Sequence, residues 1–325
     1  MKKIAIIKLG ALGDVVRTLP IAEAIKKQFP DSELTWITKP NALQLLENNP
    51  LIDKALPIPL KTNESFDVLY NFDLEVEATT LANKIKANKK YGFYIENNYP
   101  MAFNPGAEYY LNTLFDDELK KTNKKTYQEM MLEAAELKNE NFSPKIYFND
   151  KDHFYASLFL KNNNLSTEKL IGIHMGAGTR WPSKAGSQEK IRELVIKLKE
   201  RNYNVILFGG PDEINEIEKL ANELKVPRNN QNNTIKEFAS LVNLCEKMVC
   251  SDSFALHVSL ALNKPTVGLF FCTSPHEVEG YNLLTKLVAP KLEEFFPEKM
   301  DQYDEELVNS ISSDEVIEAL KLQDN

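Results

Sequence analysis

The chain is short of the residues that would tie it to disulfide, metal or membrane chemistry. Its 325 residues include only 3 Cys (Cys245, Cys250, Cys272), 4 His and 2 Trp. No two cysteines form a CxxC pair, and two of them fall in apolar segments. That is the pattern of reduced core thiols in a cytosolic protein, not of a disulfide framework. The histidines are scattered, with no HxxxH and no carboxylate-rich cluster to suggest a metal centre. No stretch approaches the ~20 apolar residues needed to span a bilayer. The opening MKKIAIIKLGALGD has the charged start of a signal peptide. Its apolar run is too short, however, and Asp14 and Arg17 interrupt it, so it reads as a first β-strand. Basic residues are also outnumbered, 39 to 47 acidic, and the formal net charge of -8 argues against a general nucleic-acid binder. A dinucleotide fingerprint is missing, because Leu12 and Val15 stand where GxGxxG needs its later glycines after Gly10. No GK[ST] follows to make a P-loop.

What is there is a repeated alternation of strand and helix. A hydrophobic fraction of 43% supplies two cores, and the length favours two domains. An apolar strand over residues 3–9 runs into a glycine-bearing turn at 10–14 and a helical period over 15–29. Strands at 34–38, 54–57, 67–71 and 91–93 alternate with helices at 42–47 and 77–87, which implies a parallel sheet with crossover helices. Residues 97–112 read as an irregular aromatic loop of the functional kind. A helix at 126–138, a short strand at 145–148 and a helix at 151–162 follow. Then the pattern restarts. A strand at 170–175 ends in glycines, followed by a helix at 187–200. A strand at 205–208 ends in Gly209-Gly210-Pro211, followed by helices at 213–224 and 234–244. An apolar run ending at 248–250 then meets Ser251-Asp252-Ser253, a small-residue helix over 255–262, a stop at Asn263-Lys264-Pro265 and an apolar strand over 266–271. Residues 307–320 read as a final helix. The expected fold class is α/β, with two doubly wound domains facing one another. Their expected bounds are 1–150 and 151–305, with a C-terminal helical segment, 306–325, packing back on the first. The lysine-rich stretches at 84–90 and 120–125 read as solvated faces, with a weak contact to anionic lipid as the sharper alternative.

Candidate site residues gather at the strand ends, where doubly wound sheets bind ligands. Asp14 sits on a glycine turn before a helix. It is either a helix cap or a general base aimed into a cleft. The loop His174-Met175-Gly176-Ala177-Gly178-Thr179-Arg180-Trp181-Pro182-Ser183-Lys184 combines two glycines that admit a close backbone approach with two cations suited to a diphosphate. Gly209, Gly210 and Glu213 form a strand-end turn whose acid suits ribose hydroxyls or, more simply, the first turn of a helix. Asp252 and Ser253 open a helix whose free N–H groups favour a phosphate. His257 lies about one turn further on, on the same side as Ser253.

In their order and positions these motifs resemble glycosyltransferase family nine, the heptosyltransferases of lipopolysaccharide core assembly. The resemblance rests on four stretches: Ile6 to Pro20 with its Leu12-Gly13-Asp14-Val15 centre, His174 to Lys184, Gly209 to Glu213, and Asp252-Ser253-Phe254-Ala255-Leu256-His257 followed by Thr273-Ser274-Pro275. Phe254 stands where the family has Gly, and Trp181-Pro182 precede Lys184 where the family has Trp-Pro after it. The Cys residues often found near the family's C-terminus are missing. The resemblance implies a GT-B architecture, with two Rossmann-like domains and a cleft between them. It also implies an inverting glycosyltransferase that needs no metal and no cofactor, with ADP-heptose as donor and a lipopolysaccharide-core glycan as acceptor. By the same resemblance Asp14 is the base, with Gly13 and Arg17 on the acceptor side. His174, Gly176, Ala177, Gly178, Thr179, Arg180, Lys184, Gly209, Gly210, Glu213, Asp252, Ser253 and His257 bind the donor, Glu213 at the ribose. The implied location is cytoplasmic, with peripheral contact at the inner face of the membrane and no nucleic-acid partner. The rivals are a nucleotide-sugar epimerase, a family-nine-like transferase for another donor or acceptor, and a non-catalytic nucleotide-sugar binder.

Overall fold

A computed structural model describes residues 1–61, 64–176, 178 and 180–322. Ala177 and Thr179 therefore lie outside the described residues. The chain forms two units: residues 1–147 with 276–279, and residues 148–275 with 280 onward.

The first unit is a six-stranded sheet. Its strands are β1 (Lys3–Ile7), β2 (Glu33–Thr38), β3 (Lys54–Pro57), β4 (Phe66–Asn71), β5 (Ala87–Glu96) and β6 (Tyr99–Ala102), in the order β3-β2-β1-β4-β5-β6. Every neighbouring pair is parallel except β5 with β6. The middle of β1 is buried on both faces, as its continuous apolar run requires, with Ile6 paired to Trp36 on one side and Tyr70 on the other. Six helices accompany the sheet: α1 (Leu12–Thr18), α2 (Pro20–Gln28), α3 (Val76–Lys84), α4 (Pro105–Asn112), α5 (Asp117–Thr122) and α6 (Tyr127–Ala134). Chain order leaves β1 with later strands on either side, and the β1/β4 junction is the switch point of this sheet.

The second unit opens with α7 (Asp150–Asn162), β7 (Leu170–His174), α8 (Gln188–Glu200), β8 (Asn204–Leu207), α9 (Ile214–Leu224) and α10 (Ile235–Leu244). It continues through β9 (Lys247–Ser251), α11 (Phe254–Ala261), β10 (Thr266–Phe270), β11 (Leu284–Val288), α12 (Leu292–Phe295), α13 (Glu305–Asn309) and α14 (Ser313–Leu320). Its five strands are all parallel, in the order β11-β10-β9-β7-β8, with the switch point at β7 and β9. Gly172 in β7 packs against Met248 and Cys245, and a Cβ there would crowd both sulfur atoms and force one to shift.

Several elements depart from the sequence reading. The helix expected over 15–29 is two helices, because Pro20 has no N–H to donate and starts a new one. Residues 42–47 were expected to be α-helical, but a 3₁₀ helix spans Pro40–Leu45. The helix expected to reach residue 87 stops at Lys84, and β5 begins at Ala87 and runs for ten residues. The loop expected over 97–112 contains β6 and α4. No strand forms at 145–148, and β11 had not been expected. The last helix is broken at Ser310–Ser312, where Ser312 caps α14 with Glu315 reaching back. That helix belongs to the second unit and not to the first: Val316 and Leu320 sit in the second core, and Asp314 meets Lys197 at 2.6 Å.

Candidate functional site

In the first unit the site grows from the ends of β1 and β4. Asp14 is not the N-cap of α1. Ala11 holds that place, and Asp14 is the third helical residue. Its Oδ2 accepts the Ala11 N–H at 3.1 Å, while Oδ1 meets the Arg17 guanidinium at 2.8 Å. Ala11 offers no side-chain acceptor in return, so the capping is one-sided. The Gly10–Ala11 peptide is cis, and Gly13 is half-buried in the first turn.

Three further residues complete this cluster, and the sequence reading had missed them. Lys8 is 5% exposed and donates to the Phe72 carbonyl at 3.1 Å. Asp73, also buried, accepts the Leu9 N–H at 3.0 Å and lies 3.7 Å from the Lys8 ammonium. Tyr127 is 1% exposed and carries the Arg17 guanidinium 3.7 Å from its ring centre. Burial works against the Lys8 charge, yet Tyr127, Asp73 and Asp14 outweigh it and hold its pKa above the ordinary value. Arg17 is in the same position, with Asp14 its chief support against burial.

In the second unit the site lies at the ends of β7, β8 and β9. Glu213, just before α9, spans two glycine loops: Oε1 accepts the Gly178 N–H at 2.9 Å and Oε2 the Gly210 N–H at 3.0 Å. Gly176 lies under the same carboxylate: a Cβ there would stand 2.7 Å from Glu213 Cδ and push that side chain aside. Gly178 has φ +70°, the left-handed region that side chains avoid. Gly209 is held by a buried side chain, donating to Asn229 Oδ1 at 2.8 Å.

Beside these loops Lys184 meets Asp252 at 3.1 Å, and His257 Nε2 lies 3.9 Å from the other carboxylate oxygen. Burial alone would raise the Asp252 carboxyl, but Lys184 and then His257 reverse this and bring it down to about 2. Ser253 is the N-cap of α11, but its hydroxyl makes no cap bond and lies 3.4 Å from His174 Nδ1. The first amides of α11 are thus left without a side-chain cap, which favours an anion. Burial lowers the His174 pKa, with Glu213 opposing, which favours the neutral ring. Phe254 turns its ring onto Phe238 at 5.6 Å, and Phe238 in turn abuts His174 and Phe208.

The structure therefore joins His174 with Ser253, Lys184 with Asp252 and His257, and Glu213 with Gly176, Gly178 and Gly210. Arg180 stays apart: it is exposed, with its guanidinium 4.8 Å from the Trp181 ring centre. Among the described residues no group of three or more His, Cys, Asp or Glu could hold a metal ion. No described helix is long and apolar enough to cross a membrane.

A model of glycosyltransferase family 9 (heptosyltransferase) matches residues 60–302. A Campylobacter coli protein, lipopolysaccharide heptosyltransferase 1, is 23% identical over 314 residues, covering 88% of this chain and 89% of its own. A solved family 9 glycosyltransferase from Veillonella parvula superposes with a TM-score of 0.79 at 21% identity, covering 98% of this chain and 95% of its own. The Escherichia coli ADP-heptose lps heptosyltransferase II gives 0.70 at 19% identity, covering 98% and 97%. The two solved structures cover nearly all of this chain, more than the part matched by the family model, and share the two-Rossmann architecture of GT-B enzymes.

Proposed function

The chain belongs to glycosyltransferase family 9, and from that premise we propose that it moves heptose from ADP-heptose onto a lipopolysaccharide-core acceptor, inverting the anomeric carbon without a metal. It is a heptosyltransferase-like glycosyltransferase; the donor, the acceptor and the metal-free chemistry are the proposal. The observation that carries it is the pairing of Lys184 with Asp252 at 3.1 Å beside the start of α11. An ammonium has three donors, so Lys184 keeps some free of Asp252 for a diphosphate next to uncapped helix amides. The description of the E. coli relative as an ADP-heptose enzyme supports the donor.

In this reading the acceptor oxygen attacks the anomeric carbon while Asp14 takes its proton. The bond from that carbon to the diphosphate oxygen breaks on the opposite face, and ADP leaves. Lys184 and the start of α11 at Asp252 and Ser253 meet the charge growing on the leaving group, with Gly176 leaving room for the approach. Both Glu213 oxygens already accept one backbone N–H each, and their remaining lone pairs suit ribose hydroxyls. Gly209 and Gly210 shape that pocket, and His174 and His257 orient Ser253 and Asp252. Ala177, Thr179 and Arg180 belong to the donor loop by sequence, and Gly13 and Arg17 to the acceptor side. We read the chain as cytoplasmic, with peripheral contact at the inner membrane where such an acceptor is made.

The test is a screen of nucleotide-sugars for thermal stabilisation, followed by transfer to a core oligosaccharide with the product anomer read by NMR. A donor at a hundred times its Kd adds about 2.7 kcal/mol. If ADP-heptose neither stabilises the chain nor is consumed while another nucleotide-sugar is, the donor is wrong. Activity lost to a chelator and restored by a divalent ion overturns the metal-free assignment.

A further inference from the structure

Asp14 is held by more than its own helix. Its two oxygens meet the Ala11 N–H and the Arg17 guanidinium, and that guanidinium rests over the Tyr127 ring. The Tyr127 hydroxyl is 3.1 Å from Thr18 Oγ1, which itself donates to the Asp14 carbonyl oxygen at 2.6 Å. Thr18 has one proton and spends it on that carbonyl, so Tyr127 is the donor between the two hydroxyls. Tyr127 therefore grips α1 twice, by its ring under Arg17 and by its hydroxyl through Thr18 onto residue 14. Its own ring is braced edge-on by Tyr110 at 5.8 Å.

We propose that Arg17 is a positioning residue for Asp14, and that Tyr127 is the aromatic floor that keeps Arg17 in place. The proposal rests on reading Asp14 as the base. A carboxylate on the first turn of a helix turns freely unless both oxygens are held. Here one is fixed by backbone and the other by a planar, permanently charged fork. Among the described residues the buried Arg17 Nε meets no hydrogen-bond partner. The guanidinium is thus kept in place by its ion pair and by the ring beneath it, an attraction that grows as water is excluded. Among the described residues the charged and titratable groups acting on Asp14 include Arg17 on α1, Lys8 just past β1 and Tyr110 on α4, with Tyr127 on α6 and Glu277 acting on Arg17. Lys8 is drawn towards Asp73 and the Phe72 carbonyl, whereas Arg17 touches the carboxylate directly. Tyr127 gives no local sequence signal, because it reaches Asp14 only through the fold.

The experiment measures transfer kinetics across pH for Arg17→Gln, Arg17→Lys, Tyr127→Leu and Tyr127→Phe, beside Asp14→Asn. Arg17→Gln is expected to lower kcat by roughly 10–100-fold, the cost of a carboxylate misplaced by about 1 Å. Donor KM stays near wild type, and the acid limb of kcat/KM moves to higher pH. Arg17→Lys keeps the charge, so it holds the limb in place while kcat still falls. Tyr127→Phe keeps the ring and loses less than Tyr127→Leu. Melting curves accompany each variant. If Tyr127→Leu does not fold, the Arg17 pair decides alone, since Arg17 lies at the edge of the core. A wild-type kcat and acid limb in Arg17→Gln overturns the proposal, as does a Tyr127→Phe loss equal to that of Tyr127→Leu. Asp14→Asn separates the two claims. A folded Asn variant that still transfers removes the base itself. An inert Asn variant beside a normal Arg17→Gln removes only the positioning role.

Discussion

Replacing Lys184 by Met separates the structural weight of its ion pair from its proposed work on the donor. The two partner side chains are 19% and 14% exposed, so solvent screens the pair only in part. The Asp252 carboxyl stands at about 2 against an ordinary 3.8. At about 1.36 kcal/mol per unit, that depression corresponds to about 2 kcal/mol of stability. The folded chain binds the Asp252 proton less readily than the unfolded chain. The contribution is therefore fully present above the ordinary carboxylate range and is lost as pH falls through about 2. Methionine keeps most of the apolar stem and removes only the charge. Lys184→Met is thus expected to destabilise the second unit by about 2 kcal/mol at pH 7, with the gap from wild type closing in acid. The two tryptophans make this measurable, because Trp36 lies in the first unit and Trp181 in the second. In a Trp36→Phe background, urea unfolding followed by fluorescence reports the second unit alone and avoids a composite transition. Among the described residues Trp36 Nε1 is buried without a partner, so Phe removes no hydrogen bond seen there. The double variant Lys184→Met, Asp252→Asn removes both charges. It is expected to recover most of the stability but none of the turnover, which falls at least ~10-fold in either chain. Unchanged stability of Lys184→Met at pH 7 would refute the argument, and would mean that His257 alone compensates the Asp252 charge.

Three further outcomes are expected. Glu213→Ala frees the Gly178 and Gly210 N–H groups, so those two amides should exchange hydrogen faster and the unit should lose about 1 kcal/mol; unchanged exchange would show that Glu213 is not the latch. Burial pushes the thiols of Cys245 and Cys272 up to about 12 and about 11, and Cys250 further up; the folded chain should resist a thiol reagent at pH 8, and urea should expose all three. The lowered His174 pKa means that the unfolded chain protonates first. That contribution to stability is present above the ordinary imidazole range and is lost as pH falls below it, and His174→Asn should flatten the slope of second-unit stability there.

The α/β class could be read from the sequence because both sheets are built from runs buried on two faces, which leave an unmistakable apolar pattern. The ends of β1, β7, β8 and β9 were readable for the same reason, since glycines and acids punctuate them. What escaped lies at the edge of the first sheet. In β5 the run Ala87 to Tyr91 carries three polar residues and is only half-buried. β6 contains a proline, which an edge strand tolerates and a central one does not. The second-unit contacts of Lys184 and Glu213 follow from neighbouring strand ends. In the first unit Ala11 and Arg17 are local partners of Asp14, but Tyr127 beneath Arg17 has no such local origin, because it is brought in from α6. Lys8 did leave a signal, since a lysine closing a strand buried on both faces must find a carboxylate, and Asp73 supplies it.

The four residues 276–279 come late in the chain yet belong to the first unit, and there the Glu277 carbonyl accepts the Tyr127 backbone N–H at 2.9 Å. During synthesis the first unit emerges without this piece. With roughly 130 residues still to be made at about 5–20 residues per second, it waits on the order of 6–26 seconds. For that interval the start of α6, and with it the ring beneath Arg17, lacks one of its fastenings. A gene split between the two units would make the delay permanent, because the first half would carry Tyr127 and the second half the carbonyl that fastens it. The order of translation thus leaves this part of the first unit to be finished last.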